Sequence, residues 1–165
     1  MKELLDKLSS YNIFNFLVPG AIFAVLVEQF SDYRIVQSDL VVALVVYYFL
    51  GMIVSRVGSL ILEPLLKKTG FLKLAPYGHF LAASKSDPKL ELMSEVNNTY
   101  RTICALFLTL GVLKVLDGAR RLAGISERTA GVFLLVVLLV MFAFAYRKQS
   151  LYIADRVREH HDERS

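Results

Sequence analysis

A chain of 165 residues that is 55% apolar and 21% charged must confine its charges to loops and tails. It is richer in apolar residues than an ordinary globular domain, and several membrane spans leave no length for a separate soluble enzyme domain. The net charge of +4 fits membrane topology better than nucleic-acid binding, and the lone Cys104, inside an apolar stretch, excludes a disulfide framework or a CxxC site.

The first segment, MKELLDKLSS, mixes Lys2 and Lys7 with Glu3 and Asp6. It lacks the purely basic start and the small-residue cleavage site of a secretory signal, so the apolar segment that follows is expected to be retained as a span. That span, Ile13 to Phe30, opens in Tyr11-Asn12-Ile13-Phe14-Asn15-Phe16-Leu17-Val18-Pro19-Gly20. Asparagine is costly in lipid without a partner, and proline removes a backbone hydrogen bond. Asn12, Asn15, Pro19 and Gly20 therefore admit two readings. One is a hinge or a polar site facing a cavity. The other, carried forward as the expectation, is an interfacial turn from Ser9 to Asn15, with Pro19 in the first turns of the true span.

The second span runs from about Leu40 to Leu62. Within it Gly51, Ser55 and Ser59 recur every four residues with Gly58 beside them, a stripe of small residues that lets helices approach closely. Packing against another span of the same chain is expected, with a neighbouring protomer as the alternative. Arg56 sits between these residues and should snorkel to the nearer surface, a pore-lining role being the other reading. Tyr47 and Tyr48 are too deep for an aromatic belt, and Asn12 or Asn15 are the candidate partners for their hydroxyls.

From Glu63 to Thr99 lies the one sizeable stretch outside the spans. Its first half, EPLLKKTGFLKLAPYGHF, alternates Leu and Phe with Lys67, Lys68 and Lys73, a composition suited to the headgroup level with lysines toward anionic lipid. Asp87-Pro88 reads as a helix start, from which one helix can run directly into the third span, about Tyr100 to Leu116. Glu28 and Lys114 occupy matching depths at the far ends of spans one and three, as a candidate ion pair or as two residues reaching the headgroups independently. Asp117-Gly118 and Ala123-Gly124 read as turns. The fourth span, Thr129 to Tyr146, is 18 residues without a charge. About 17 to 25 such residues cross a bilayer. The tail, Arg147 to Ser165, reads as a helical extension of it bearing Arg156 and Arg158. It is either a docking helix or a solvated end.

Two basic residues precede span one, seven border or lie in the central segment and five lie in the tail, so 14 of the 19 fall on one side. Basic residues near span ends favour the cytoplasm, which places both termini and the central segment there. The sequence contains no Ser-His-Asp arrangement, HExxH or phosphate-binding loop, and His79 and the His160-His161 pair lack companions at metal spacing. The expectation is an all-α, four-span, non-enzymatic protein without cofactor or metal.

The string from Tyr11 to Phe23, at the start of a small four-span protein, resembles the membrane subunits that accompany bacterial anti-phage cassettes, the four-span subunit of the Kiwa system being the nearest type. The resemblance covers about the first fifteen per cent of the chain and the span plan. It implies a membrane-embedded sensor or effector that works with a cytoplasmic partner. Taken with the basic surfaces, the reading is an oligomeric inner-membrane subunit whose partners are lipids, further copies of itself and a cytoplasmic protein, with no direct nucleic-acid binding. A pore-forming effector using Asn15, Arg56 and Glu28, and a small transporter, are the competing readings.

Overall fold

The computed structural model describes the backbone of residues 12–162 and side chains as far as Arg158. Those residues form helices joined by short loops, without strands. Helix α1 spans Ile13–Phe30, α2 Leu40–Lys68, α3 Tyr77–Ser86, α4 Lys89–Leu122 and α5 Glu127–Asp162. Among them α1, α2, α4 and α5 are long and apolar enough to cross a membrane. Lys2, Lys7, Ser9 and Tyr11, and the side chains of His160 and His161, lie outside the described residues.

Each helix end has a local cause. The Asp39 carboxylate accepts from the backbone N–H of Val41 and of Val42, both at 2.9 Å, and so starts α2. Gly70, at φ 75°, lets the chain leave α2. Asp87 Oδ1 accepts from Lys89 N at 3.0 Å, with Pro88 in the turn between, so the expected helix start at Asp87-Pro88 holds. The α4 helix then runs unbroken for 34 residues. It does not turn at Asp117-Gly118, as the sequence suggested. Asp117 is paired with Arg120 and Arg121 on the next turn, which ties the helix across the glycine. The chain turns only at Gly124, φ 65°, and Ser126 Oγ accepts from Thr129 N at 3.2 Å to begin α5. Helix α3, which starts directly after Pro76, lies within the stretch expected at the headgroup level, for which the sequence pattern marked no helix.

Close approach of α1 and α2 organises the bundle. A Cβ on Gly20 would overlap the Tyr47 carbonyl oxygen and stand 2.7 Å from Gly51 N, and one on Gly51 would overlap the Phe16 carbonyl oxygen. In lipid no hydrophobic force drives helices together, so such backbone contact is where the attraction lies. The stripe of small residues is thus spent within the chain. Helix α4 packs into the groove between α1 and α2, with Gly58 facing Ala105 and Arg101. Phe23, Val27, Val54, Ala105 and Leu106 make the core of this three-helix unit. Helix α5 stands outside it: 39% of the apolar window of α1 is buried, against 6% of that of α5. Phe142 stacks on Phe49 at 6.1 Å, and Ala145 is the one buried apolar residue on α5.

Two five-residue stretches, Ile13–Leu17 and Gly58–Leu62, are π-helical. Such widened turns are rare and shift the side-chain phase of the helix that follows.

Gly51→Ala is expected to lower the thermal stability of the protein in detergent by about 1–3 kcal/mol, because α1 and α2 must separate. Gly131→Ala, whose Cβ would meet nothing within 4 Å, is the matched control and should not destabilise. Equal melting of the two variants would remove the α1–α2 contact from its central place.

Candidate functional site

The stripe on α2 does not stop at Ser59. Stepping by four from Gly51 through Ser55 and Ser59 it reaches Glu63, and all four residues are buried. Two polar assemblies sit along its lower half.

The deeper one joins three helices. Asn15 from α1, Ser55 from α2 and Thr102 from α4 are each 0% exposed. Thr102 Oγ1 donates to Asn15 Oδ1 at 2.8 Å and lies 3.4 Å from Ser55 Oγ, while Asn15 Nδ2 reaches Ser55 Oγ at a long 3.5 Å. Thr102 Oγ1 is also 2.9 Å from the Asn98 carbonyl one turn back. One hydroxyl proton cannot serve both acceptors fully. Turning the carboxamide over would let Nδ2 donate to Thr102, whose proton would then go to Asn98. The cluster therefore has two hydrogen-bond arrangements with the same heavy-atom positions.

Asn15 thus departs from expectation. It is not in an interfacial turn but at the centre of a helix contact, on the π-helical stretch that rephases α1 so that Asn15, Phe16, Pro19 and Gly20 all turn inward. Asn12 is half-buried at the start of the same stretch. Tyr47 and Tyr48 do not partner the asparagines. Tyr47 Oη accepts from Gln37 N at 3.3 Å, and the Tyr48 ring packs edge-on against Phe16 at 5.5 Å. The α2 helix begins at Leu40, so Tyr47 lies close enough to its start for the hydroxyl to reach the preceding loop.

The shallower assembly gathers on Glu63, 7% exposed. Its Oε1 accepts from Lys67 Nζ at 3.0 Å and lies 3.9 Å from Lys148 Nζ; its Oε2 accepts from Arg101 Nη1 at 2.8 Å. Lys148 also donates to the Ser59 carbonyl at 2.8 Å and sits 5.8 Å from the Tyr152 ring, which in turn meets Tyr77 of α3 at 5.3 Å. One carboxylate therefore ties α2, α4 and α5. Arg56 is half-buried two turns deeper on α2, and Ser59 Oγ donates back to its carbonyl at 3.3 Å.

At the opposite end a second charge layer forms. Asp117 pairs with Arg120 at 3.0 Å and Arg121 at 2.9 Å, and Arg121 also meets Asp32 beyond α1. Glu28 and Lys114 do not pair with each other. Glu28 Oε2 accepts from Val36 N in the following loop at 3.0 Å and Lys114 Nζ donates to the Phe30 carbonyl at the end of α1 at 2.6 Å, so each satisfies a backbone group instead.

Of the basic residues expected to form a partner or lipid surface, Lys67 is drawn back to Glu63, while Lys68, Lys73, Arg156 and Arg158 are exposed. Thr102, Glu63, Arg101 and Lys148 were not singled out by sequence. Extending the four-residue stripe would have found Glu63; nothing marked the others beyond their place at a span end. Among the described residues no group of three His, Cys, Asp or Glu side chains could hold a metal ion.

No protein-family model matches this chain, and no curated protein or solved structure matches it significantly.

Thr102→Val removes the best donor of the deep cluster and should cost about 1 kcal/mol, the scale of interhelical hydrogen bonds in membranes. Adding Asn15→Leu should recover part of that loss, since an apolar pair of similar shape leaves no orphaned amide. A double-mutant cycle by unfolding in detergent measures it, and strict additivity would mean that the two side chains are not coupled.

Proposed function

We propose that this chain is a non-enzymatic subunit of a membrane assembly in the bacterial cytoplasmic membrane, with both termini and α3 on the cytoplasmic side, that self-associates and relays the state of its bundle to a cytoplasmic protein. The observation that carries the reading is the continuity of α4 and α5. Both run without interruption past the Glu63 cluster, α4 from Lys89 and α5 to Asp162. At 1.5 Å per residue these extensions are roughly 18 Å and 21 Å long. A stiff helix that leaves the membrane transmits a tilt or rotation, which a flexible tail cannot do.

Chemistry at the extensions supports docking. Leu92, Met93, Val96 and Tyr100 on α4 are exposed, as are Leu151, Ile153 and Val157 on α5, which share their helix with Arg156 and Arg158. Mixed apolar and basic surface of this kind suits a protein partner better than bare water. The excess of basic residues at this end supports the orientation. Resemblance of the Tyr11–Phe23 string to Kiwa-type subunits supports a setting in anti-phage defence. The inward turn of Asn15 and the closed Gly20–Gly51 contact weigh against span one lining a pore within a single chain.

Deleting residues 147–165, or changing Lys68 and Lys73 together with Arg156 and Arg158 to Glu, is expected to abolish capture of a cytoplasmic partner from mild-detergent membranes while insertion persists. Capture that survives both changes would sink the docking idea. Passage of ions or dye through liposomes carrying the purified protein would replace it with the pore reading.

A further inference from the structure

The Glu63 cluster does not balance. Among the described residues, Lys67, Arg101 and Lys148 bring three positive charges to one carboxylate, an excess of two. The side chains of Glu63 and Arg101 are largely withdrawn from water, at 9% and 19% exposed, and pair with each other. The excess therefore sits on the two more open lysines, where an anion can reach it. The guanidinium adds a second sign: Arg101 Nε is buried and has no hydrogen-bond acceptor among the described residues. Buried N–H groups in folded proteins are almost always paired.

Depth says what kind of anion. From Leu40 to Glu63 is roughly 34 Å along the helix, and from Thr129 to Lys148 roughly 28 Å, at 1.5 Å per residue. The hydrocarbon core of a bilayer is about 30 Å thick. The cluster therefore falls where the apolar run ends, at the level of the phosphates. Tyr152, beside Lys148, and Tyr77, which meets the Tyr152 ring, have the placement of interfacial aromatics. Lys148 and Lys67, at 30% and 43% exposed, are the cations open to an incoming group. Directly above Lys148 on α5, Phe144 and Val140 are bare, a surface for acyl chains.

We infer that Arg101, Lys148 and Lys67 form a binding site for the phosphate group of an anionic membrane lipid, with Glu63 holding the three cations together while the site is empty. The phosphate oxygens would take Lys148 and Lys67 from Glu63 Oε1 and leave Arg101 on Oε2. An acidic peptide would bring negative charge but no chains for the apolar flank. The charge reversal of Lys68, Lys73, Arg156 and Arg158 separates this site from the docking reading, because it touches none of its cations, whereas deletion of residues 147–165 removes Lys148 and affects both.

The test is lipid retention by the full-length protein, measured by native mass spectrometry after exchange into zwitterionic detergent with equal phosphatidylglycerol and phosphatidylcholine. Preferential retention of phosphatidylglycerol is expected, reduced about fivefold by Lys148→Gln and about fivefold by Arg101→Gln. Lys68→Gln should leave it unchanged. Because Arg101→Gln removes a buried ion-pair partner, Glu63→Gln provides the opposite sign. It deletes the competing carboxylate and should raise retention, whereas simple loss of structure would lower it.

Inorganic phosphate that binds alone and prevents lipid retention supports the site and assigns it to a soluble phosphate; no effect of inorganic phosphate assigns it to lipid. Equal retention of the two lipids, retention indifferent to both Arg101→Gln and Lys148→Gln, or preference for a Glu-rich peptide over phosphatidylglycerol overturns the inference. Partner capture that persists when retention is lost separates this site from the docking surface.

Discussion

Two missing side chains set the geometry of the bundle. Because positions 20 and 51 carry no Cβ, the backbone of α1 rests on that of α2, with Gly20 against the Tyr47 carbonyl and Gly51 against that of Phe16. The consequence reaches one turn further. Helices so close bring Asn15 and Ser55 within reach, and the groove they form accepts α4 by its small face at Ala105, which puts Thr102 opposite both. A wider spacing would leave three polar side chains in lipid without partners, each costly. Steric closeness and polar satisfaction are thus one constraint.

Charges close the unit at both ends. Glu63 with Arg101, Lys67 and Lys148 lies at one limit of the apolar run, and Asp117 with Arg120, Arg121 and Asp32 at the other. Along α4 the two layers, Arg101 and Asp117, are roughly 24 Å apart at 1.5 Å per residue, and the side chains extend that distance outward. The layers differ in balance. At the Asp117 end acids and bases alternate and offset each other, whereas the Glu63 end keeps an excess of cations. Arg101 and Thr102 are adjacent in sequence, so α4 presents the charged layer and the deep hydrogen-bonded cluster on successive residues.

The helices themselves were legible because a long apolar run with charges only at its ends has few alternatives in water or lipid. Span one and the start of the α4 helix at Asp87-Pro88 could be placed from sequence for that reason, as could the close packing at Gly51, since a four-residue repeat of small side chains has a direct steric meaning. The partners of polar residues were not legible. Asn15 reads as interfacial because it lies near the start of an apolar run; a π-helical stretch then rotates it into the core, and no residue pattern announces that stretch. Glu63 reads as the first residue outside the membrane by the same reasoning. Its membership of the small-residue stripe shows only when the count is carried past the last apolar residue. Glu28 and Lys114 match in depth, yet depth fixes only one coordinate, and each was nearer to a free backbone group than to the other.

Unequal packing then decides which part of the bundle can move. Helices α1, α2 and α4 share the core of Phe23, Val27, Val54, Ala105 and Leu106, and a shift of any one opens contacts on two others. Helix α5 has no share in it. It is held by Phe142 on Phe49 near mid-span, by Lys148 on Ser59 and Glu63 and by Tyr152 on Tyr77 at the Glu63 end, and by the short turn at Gly124 at the other. Local opening costs least where few contacts are lost, so among the four long helices α5 is the one whose displacement gives up least of the core. The polar tie among those of α5 is Lys148, a residue that divides its interactions among a carbonyl, a carboxylate and an aromatic face. An anion that drew Lys148 away would remove the polar tie of α5 to α2 and leave the three-helix core in place. Lys148 is thus both an anchor of the outermost helix and a cation open to an incoming anion.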